Sequence, residues 1–293
     1  MTVDIARVFS DSWSIIKQRF LVLLGMWVVF FVINIVYTIV AGGVLGGSIF
    51  ALGAAASSGL DDPELLLGGL GIGAILMMIL FYIGSIVIIL AQQCAMSALS
   101  TPLREVQFGD AIKLGLKAGV TFIAITVLVV IAYILVAIVY GIIGVVLSLA
   151  GDIGTFLSVL LFVPVLIYLG LRISVIVPVV AVDRTFNPIT AIRRTWSMTA
   201  GKVLSILVVY LAIIAIALVL LGLPFLMMFG SAALAGATGS EGAAVAAAGT
   251  IVGGFLLLIP MFLLYSIVTI VIIACLHAQL TDTPAEEVAR TFE

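Results

Sequence analysis

The sequence predicts an all-α integral membrane protein, a bundle of six transmembrane helices with amphipathic helices on the cytoplasmic side. Three observations predict it. Of 293 residues, 65% are hydrophobic and 9% charged, and mean hydropathy is +1.45, whereas a soluble domain carries roughly 25% charged residues. Six apolar runs reach the length of a span, about 20 residues for a hydrocarbon core about 30 Å thick. The Lys and Arg residues, despite a net charge of only −2, fall on alternate loops.

The six runs are residues 20–52, 70–99, 119–149, 156–182, 203–233 and 245–276. Several exceed what a span needs, which implies tilting or protrusion. An amphipathic segment precedes the first run, with Ile5, Phe9, Trp13, Ile16 and Phe20 at helical spacing and Arg7, Asp11 and Gln18 on other faces. The second begins at Asp110, which is placed to cap a helix bearing Ile112 and Leu116 beside Lys113 and Lys117. The third, residues 183–203, is the most complete. Asn187 suits an N-cap, Pro188 the first helical position, and Ile189, Ile192 and Trp196 an apolar side. The Ala-rich stretch after Glu241 extends the sixth helix. The pattern of segment, span, outer loop and span thus occurs three times. Asp110-Ala111-Ile112-Lys113 is like Thr190-Ala191-Ile192-Arg193, and Ser12-Trp13-Ser14 is like Thr195-Trp196-Ser197. We take the chain as one transmembrane domain of three hairpin units, residues 1–100, 101–183 and 184–280, with a short tail at 281–293.

Charge orients these units. Arg7, Lys17 and Arg19 precede the first span, and Arg104, Lys113 and Lys117 follow the second. Arg184, Arg193, Arg194 and Lys202 follow the fourth, and Arg290 lies in the tail. The other loops hold Asp61, Asp62, Glu64, Asp152 and Glu241 without Lys or Arg. An excess of Lys and Arg marks cytoplasmic loops, so both termini are expected on the cytoplasmic side of an inner membrane. The first run is too long for a signal-peptide core, and no cleavable leader is expected.

Within the spans, Gly42 with Gly46 and Gly43 with Gly47 have the four-residue spacing that lets helices approach closely. Pro164, Pro178, Pro224 and Pro260 should kink helices and free carbonyls. Cys94 and Cys275 lie in spans without metal-ligand spacing and read as buried free thiols.

Residues with chemical potential are few. His277 is the single histidine, near the end of the last span with Asp282 the next acid, and reads as interfacial. No His-Glu-x-x-His motif, Gly-x-Ser-x-Gly elbow or phosphate-binding loop is present. No catalytic residue, metal site or cofactor is expected. Arg172 is the pointed anomaly, lying about 15 Å along a helix from the basic third segment. A charge there costs about 2.5–3.5 kcal/mol on insertion scales unless it snorkels, pairs or faces water. Two roles stay open: holding a lipid phosphate or anionic solute, or bonding to carbonyls freed near Pro178. Asn34, Gln92 and Gln93 are its candidate neutral partners or else interhelical glue. The third segment likewise either recognises anionic headgroups, through Arg184, Arg193, Arg194, Trp196 and Lys202, or anchors the bundle. Too few basic residues are available for a nucleic-acid role.

The stretch from Leu171-Arg172 through Ser174 and Pro178 to Asp183, followed by Ala191-Ile192-Arg193-Arg194-Thr195-Trp196 and Gly201, resembles bacterial membrane proteins related to the membrane domain of glycerophosphoryl diester phosphodiesterase. That family's pattern is Arg-x-Ser, a Pro, an acidic residue, Ala-Leu-Arg-Arg-Ser-Trp and a Gly; here Ile192 and Thr195 replace Leu and Ser. Pro102 to Ala111 is similar to its middle loop, and Glu286 to Glu293 to its tail. The resemblance implies no activity, because the catalytic domain of the family's namesake is absent. The resulting expectation is a non-enzymatic protein that binds or translocates a lipid or amphiphile, or supports envelope maintenance. A small-solute transporter or channel and a scaffold or regulatory subunit are the alternatives. Expected partners are membrane lipids, anionic ones among them, and a second copy or another membrane protein.

Overall fold

The computed structural model describes residues 3–57 and 71–281. Its helices are α1 (Ile5–Ser57), α2 (Gly71–Ser100), α3 (Phe108–Ser148), α4 (Gly151–Ile173), α5 (Ile176–Ala181), α6 (Pro188–Met198), α7 (Val203–Thr238) and α8 (Glu241–Thr281). Six segments are long and apolar enough to cross a membrane, and no strand occurs among the described residues. The chain is a multi-pass membrane protein. The expected tail and its resemblance, with Arg290, Asp282 and the acids at 61, 62 and 64, lie outside the described residues.

Two of the three expected amphipathic helices are not separate helices. No glycine or proline interrupts the chain between Ile5 and Phe20, and α1 runs unbroken for 53 residues, about 80 Å at 1.5 Å per residue. The second segment likewise merges into the 41 residues of α3. Its N-cap is Gln107, and Asp110 sits in the first turn, 3.8 Å from Lys113. Only the third segment is punctuated at both ends. The Asn187 side chain accepts from the Ile189 amide at 3.1 Å and the Thr190 amide at 3.2 Å, with Pro188 at the start of α6. Beyond it, Gly201 takes φ +70°, a left-handed conformation that only glycine adopts without strain.

The fourth span breaks at Ser174–Val175 into α4 and α5. Pro178 explains this: it has no N–H to give the Ser174 carbonyl, so that carbonyl lacks its helical donor. The Tyr210 hydroxyl on α7 donates to it at 3.3 Å. Pro164, Pro224 and Pro260 sit inside continuous helices.

The core gathers Leu23, Met26 and Phe30 of α1, Met96 of α2, Ile206 and Val209 of α7, and Ile267 and Val271 of α8. α8 packs on α7, α1 and α2, while α3 packs on α2 and α4 on α3. The α3–α4 hairpin is therefore the outlying pair. Within α4 the buried residues are Gly154, Ser158, Leu171 and Arg172.

Close helix approach occurs elsewhere than at Gly42–Gly47. A Cβ at Gly43, Gly46 or Gly47 would meet nothing within 4 Å, and one at Gly42 would stand 3.9 Å from the Phe81 ring, which stacks on Tyr37. The working pair is Gly115 and Gly119 on α3. A Cβ at Gly115 would collide with the Ala91 carbonyl oxygen, and one at Gly119 would stand 3.1 Å from the Val87 carbonyl oxygen. Cys94 and Cys275 are buried and unbonded.

One end of the bundle is charged. There Arg19 donates to the Leu99 carbonyl at 2.9 Å and lies 3.3 Å from Glu105, while Lys117 sits 4.3 Å from the Phe186 ring centre.

Candidate functional site

The charged end holds two polar clusters around α6. In the first, Arg172 projects from the last turn of α4 and is 5% exposed. Its guanidinium carbon lies 4.2 Å from the Trp196 ring centre and 5.8 Å from that of Tyr168, and those rings meet edge to face. Its Nη1 donates to the Thr199 hydroxyl at 3.3 Å; that hydroxyl lies 2.9 Å from the Thr195 carbonyl. Nε has no hydrogen-bond partner among the described residues. A desolvated cation–π contact contributes about 2 kcal/mol, and a hydrogen bond from a charged donor about 1.5–3 kcal/mol. Together these match the insertion cost of about 2.5–3.5 kcal/mol without any carboxylate. The partner of Arg172 is thus Thr199, not Asn34, Gln92 or Gln93. Those three are half-buried, with Gln92 3.9 Å from the Met96 sulfur. Nor does Arg172 reach the carbonyl freed by Pro178, which Tyr210 occupies.

The second cluster centres on Asp183, between α5 and α6. One oxygen, Oδ2, accepts from Arg194 Nε of α6 at 2.7 Å and lies 3.3 Å from His277 Nε2 of α8. His277, four residues from the end of α8, is fully buried, and its partner is an acid 94 residues upstream. Burial pushes the Asp183 carboxyl upward, but the His277 hydrogen bond and charge, with Arg194, outweigh it and hold it below the ordinary carboxylate value. The chain turns at Arg184, exposed at φ +53°, which swings α6 back over Asp183.

No family model, curated protein or solved structure matches the chain.

Beside α6 opens a cavity of about 590 Å³, walled by α3, α4 and α6, a size within the range of small-molecule sites. Its walls are apolar, Leu128, Val136, Leu169 and Ile192 among them, and Arg193, Trp196 and Ser197 bring the polar groups at the α6 end. Arg172 stands behind Trp196 and does not line the cavity. Of the six basic or aromatic candidates, Arg193 and Trp196 meet at this opening. Arg194 is engaged by Asp183, Arg184 is exposed, and Lys202 is half-buried at the N-cap of α7. Sequence spacing placed Ile189, Ile192 and Trp196 on one side of α6; these line the cavity together with Arg193, and the buried residues of the helix are Ala191 and Thr195. Spacing missed Thr199, Tyr210 and the Asp183–His277 pair, whose members carry no motif and meet only through the tertiary fold.

Proposed function

We propose that the protein binds an anionic amphiphile, a phospholipid or a molecule of that form, at the junction of α3, α4 and α6. The supporting observation is the pairing of an apolar cavity with an exposed arginine and a tryptophan on its rim. An apolar tail fills the cavity, Arg193 meets the phosphate, and Trp196 sits at headgroup depth, where amphipathic aromatics concentrate. The Arg172 stack fixes the Trp196 ring from behind. The charged end faces the cytoplasm under the rule that Lys and Arg stay inside, which places both ends of the chain there and the site in the cytoplasmic leaflet of an inner membrane. The proposal assigns the chain no reaction of its own. The resemblance of residues 171–201 to the membrane domain of glycerophosphoryl diester phosphodiesterase is part of this proposal. A hydrophilic solute finds little to hold it, since Tyr133, Arg193, Trp196 and Ser197 supply the polar atoms of an otherwise apolar wall.

Arg193→Gln removes the charge at the rim while keeping much of the side chain. A basic residue near an anionic surface contributes about 1 kcal/mol, or roughly fivefold in affinity. Native mass spectrometry of the purified protein should show anionic lipid retention reduced by about that factor, with Arg184→Gln as a control away from the cavity. Equal retention by both variants and the unaltered protein would refute the proposal.

A further inference from the structure

A second apolar cavity, about 450 Å³, lies between the same two helices, farther from the charged end. The two share Val136. On α4, Ser158, Leu161 and Val165 line the second cavity, and Leu169 and Ile173 continue the same stripe into the first. These positions follow at intervals of three or four, so they occupy one helical face. On α3 the lining runs from Leu128 to Leu147, a rise of about 28 Å. The hydrocarbon core is about 30 Å thick, so one leaflet fills about half of it. The two cavities lie end to end along α3 and α4 and share Val136, and together they mark a seam nearly as long as the membrane is thick. Among the described residues, the sole charged one lining either cavity is Arg193, at one end.

We infer that the seam takes a single-headed phosphate amphiphile with a tail about twice as deep as one leaflet. The phosphate sits at Arg193, and the tail lies between α3 and α4, past Tyr140 and Phe162, as far as Leu147. This rests on the proposed headgroup site and adds the length of the tail. In lipid, a tail gains nothing from leaving water, and selectivity for the seam comes from packing contacts with its walls. A tail that ends within one leaflet leaves the far cavity unused. The Tyr140 hydroxyl donates to Ser158 at 2.9 Å, and Tyr140 stacks on Phe162 with ring centres 3.8 Å apart. The far wall is therefore held by its own contacts and does not depend on an occupant to keep its shape.

The test sets dodecyl phosphate against docosyl phosphate, two ligands with one headgroup and different tails, at equal concentration with the full-length protein in detergent. Native mass spectrometry gives the ratio in which they bind. Leu161→Trp fills the far cavity from α4, and Ile143→Trp fills it from α3. Both positions are exposed, at 60% and 46%, so the bulk is added without crowding the core. Preference of the micelle for the longer tail is common to all variants and cancels. Either substitution should lower the docosyl-to-dodecyl ratio by about tenfold, ~1.4 kcal/mol, the worth of roughly ten carbon–carbon contacts at ~0.1–0.2 kcal/mol each. Dodecyl phosphate binding should be unchanged. A ratio that both variants leave at its original value overturns the inference, as does loss of both ligands in parallel. Failure of the headgroup site looks different: Arg193→Gln would then weaken neither ligand, whatever the ratio does.

Discussion

Gly115→Ala is the sharpest test of how α2 and α3 are joined. The added Cβ would collide with the Ala91 carbonyl oxygen and stand 3.0 Å from the Ala95 Cβ. The oxygen is backbone, so no rotamer relieves the overlap, and the helices must part by several tenths of an ångström. Overpacking of this kind costs typically about 1–3 kcal/mol. Against that, alanine is a better helix former than glycine by about 0.8–1 kcal/mol. The net expectation is a loss of about 0–2 kcal/mol, which is about 1–3 kcal/mol relative to a site where the added methyl meets nothing. At Gly46 a Cβ meets nothing within 4 Å, so Gly46→Ala retains the propensity gain alone and should be neutral or slightly stabilising. Gly119→Ala, at 3.1 Å from the Val87 oxygen and 3.2 Å from a Val87 methyl, should fall between. Equilibrium unfolding of the three variants in mixed micelles gives the order directly. If Gly115→Ala unfolds like Gly46→Ala, the helices are not in contact at Ala91 and the seam is not built as described.

Two further outcomes follow from the clusters around α5 and α6. The Asp183 carboxyl is held below its ordinary value in the folded protein, so its stabilisation is complete above the ordinary carboxylate range and is lost as pH falls through the lowered value. Asp183→Asn should lower stability at neutral pH by roughly 1–2 kcal/mol, allowing for the half-exposed Arg194, and the gap from the unaltered protein should close below about pH 4 when both are melted across a pH series. Tyr210→Phe withdraws the donor from the Ser174 carbonyl and should cost about 1–3 kcal/mol, with faster amide exchange confined to the α4–α5 break.

Class and helix count were legible because lipid imposes a constraint on every residue of a span, and composition sums that constraint over the whole chain. The cap at Asn187 was legible because capping is local, decided within three residues. Helix boundaries at the first two amphipathic segments were not. A change from polar to apolar face says where water ends, while the backbone stops only where a cap, glycine or proline stops it. Glycine spacing was ambiguous for a related reason. Residues 42–47 and 115–119 share the four-residue interval, and what separates them is the neighbour across the seam: at most the Phe81 ring, 3.9 Å from a Cβ at Gly42, in one case, and Ala91 and Ala95 in the other. Arg172 was legible as an anomaly, but its remedy, an indole face 24 positions onward, belongs to the tertiary structure.

His277 lies near the end of the last helix, and the carboxylate it meets lies 94 residues earlier. A ribosome delivers the chain from its first residue to its last, so α3, α4 and α6 are all in place before that imidazole exists. Until then Asp183 has Arg194 alone, and α6 is tethered at the junction by its neighbours in sequence and by the Thr199–Arg172 contact. The wall that carries Arg193 and Trp196 is therefore locked only when α8 has entered the membrane. The last transmembrane helix thus adds a second tie at Asp183 after the helices that wall the cavity have been made.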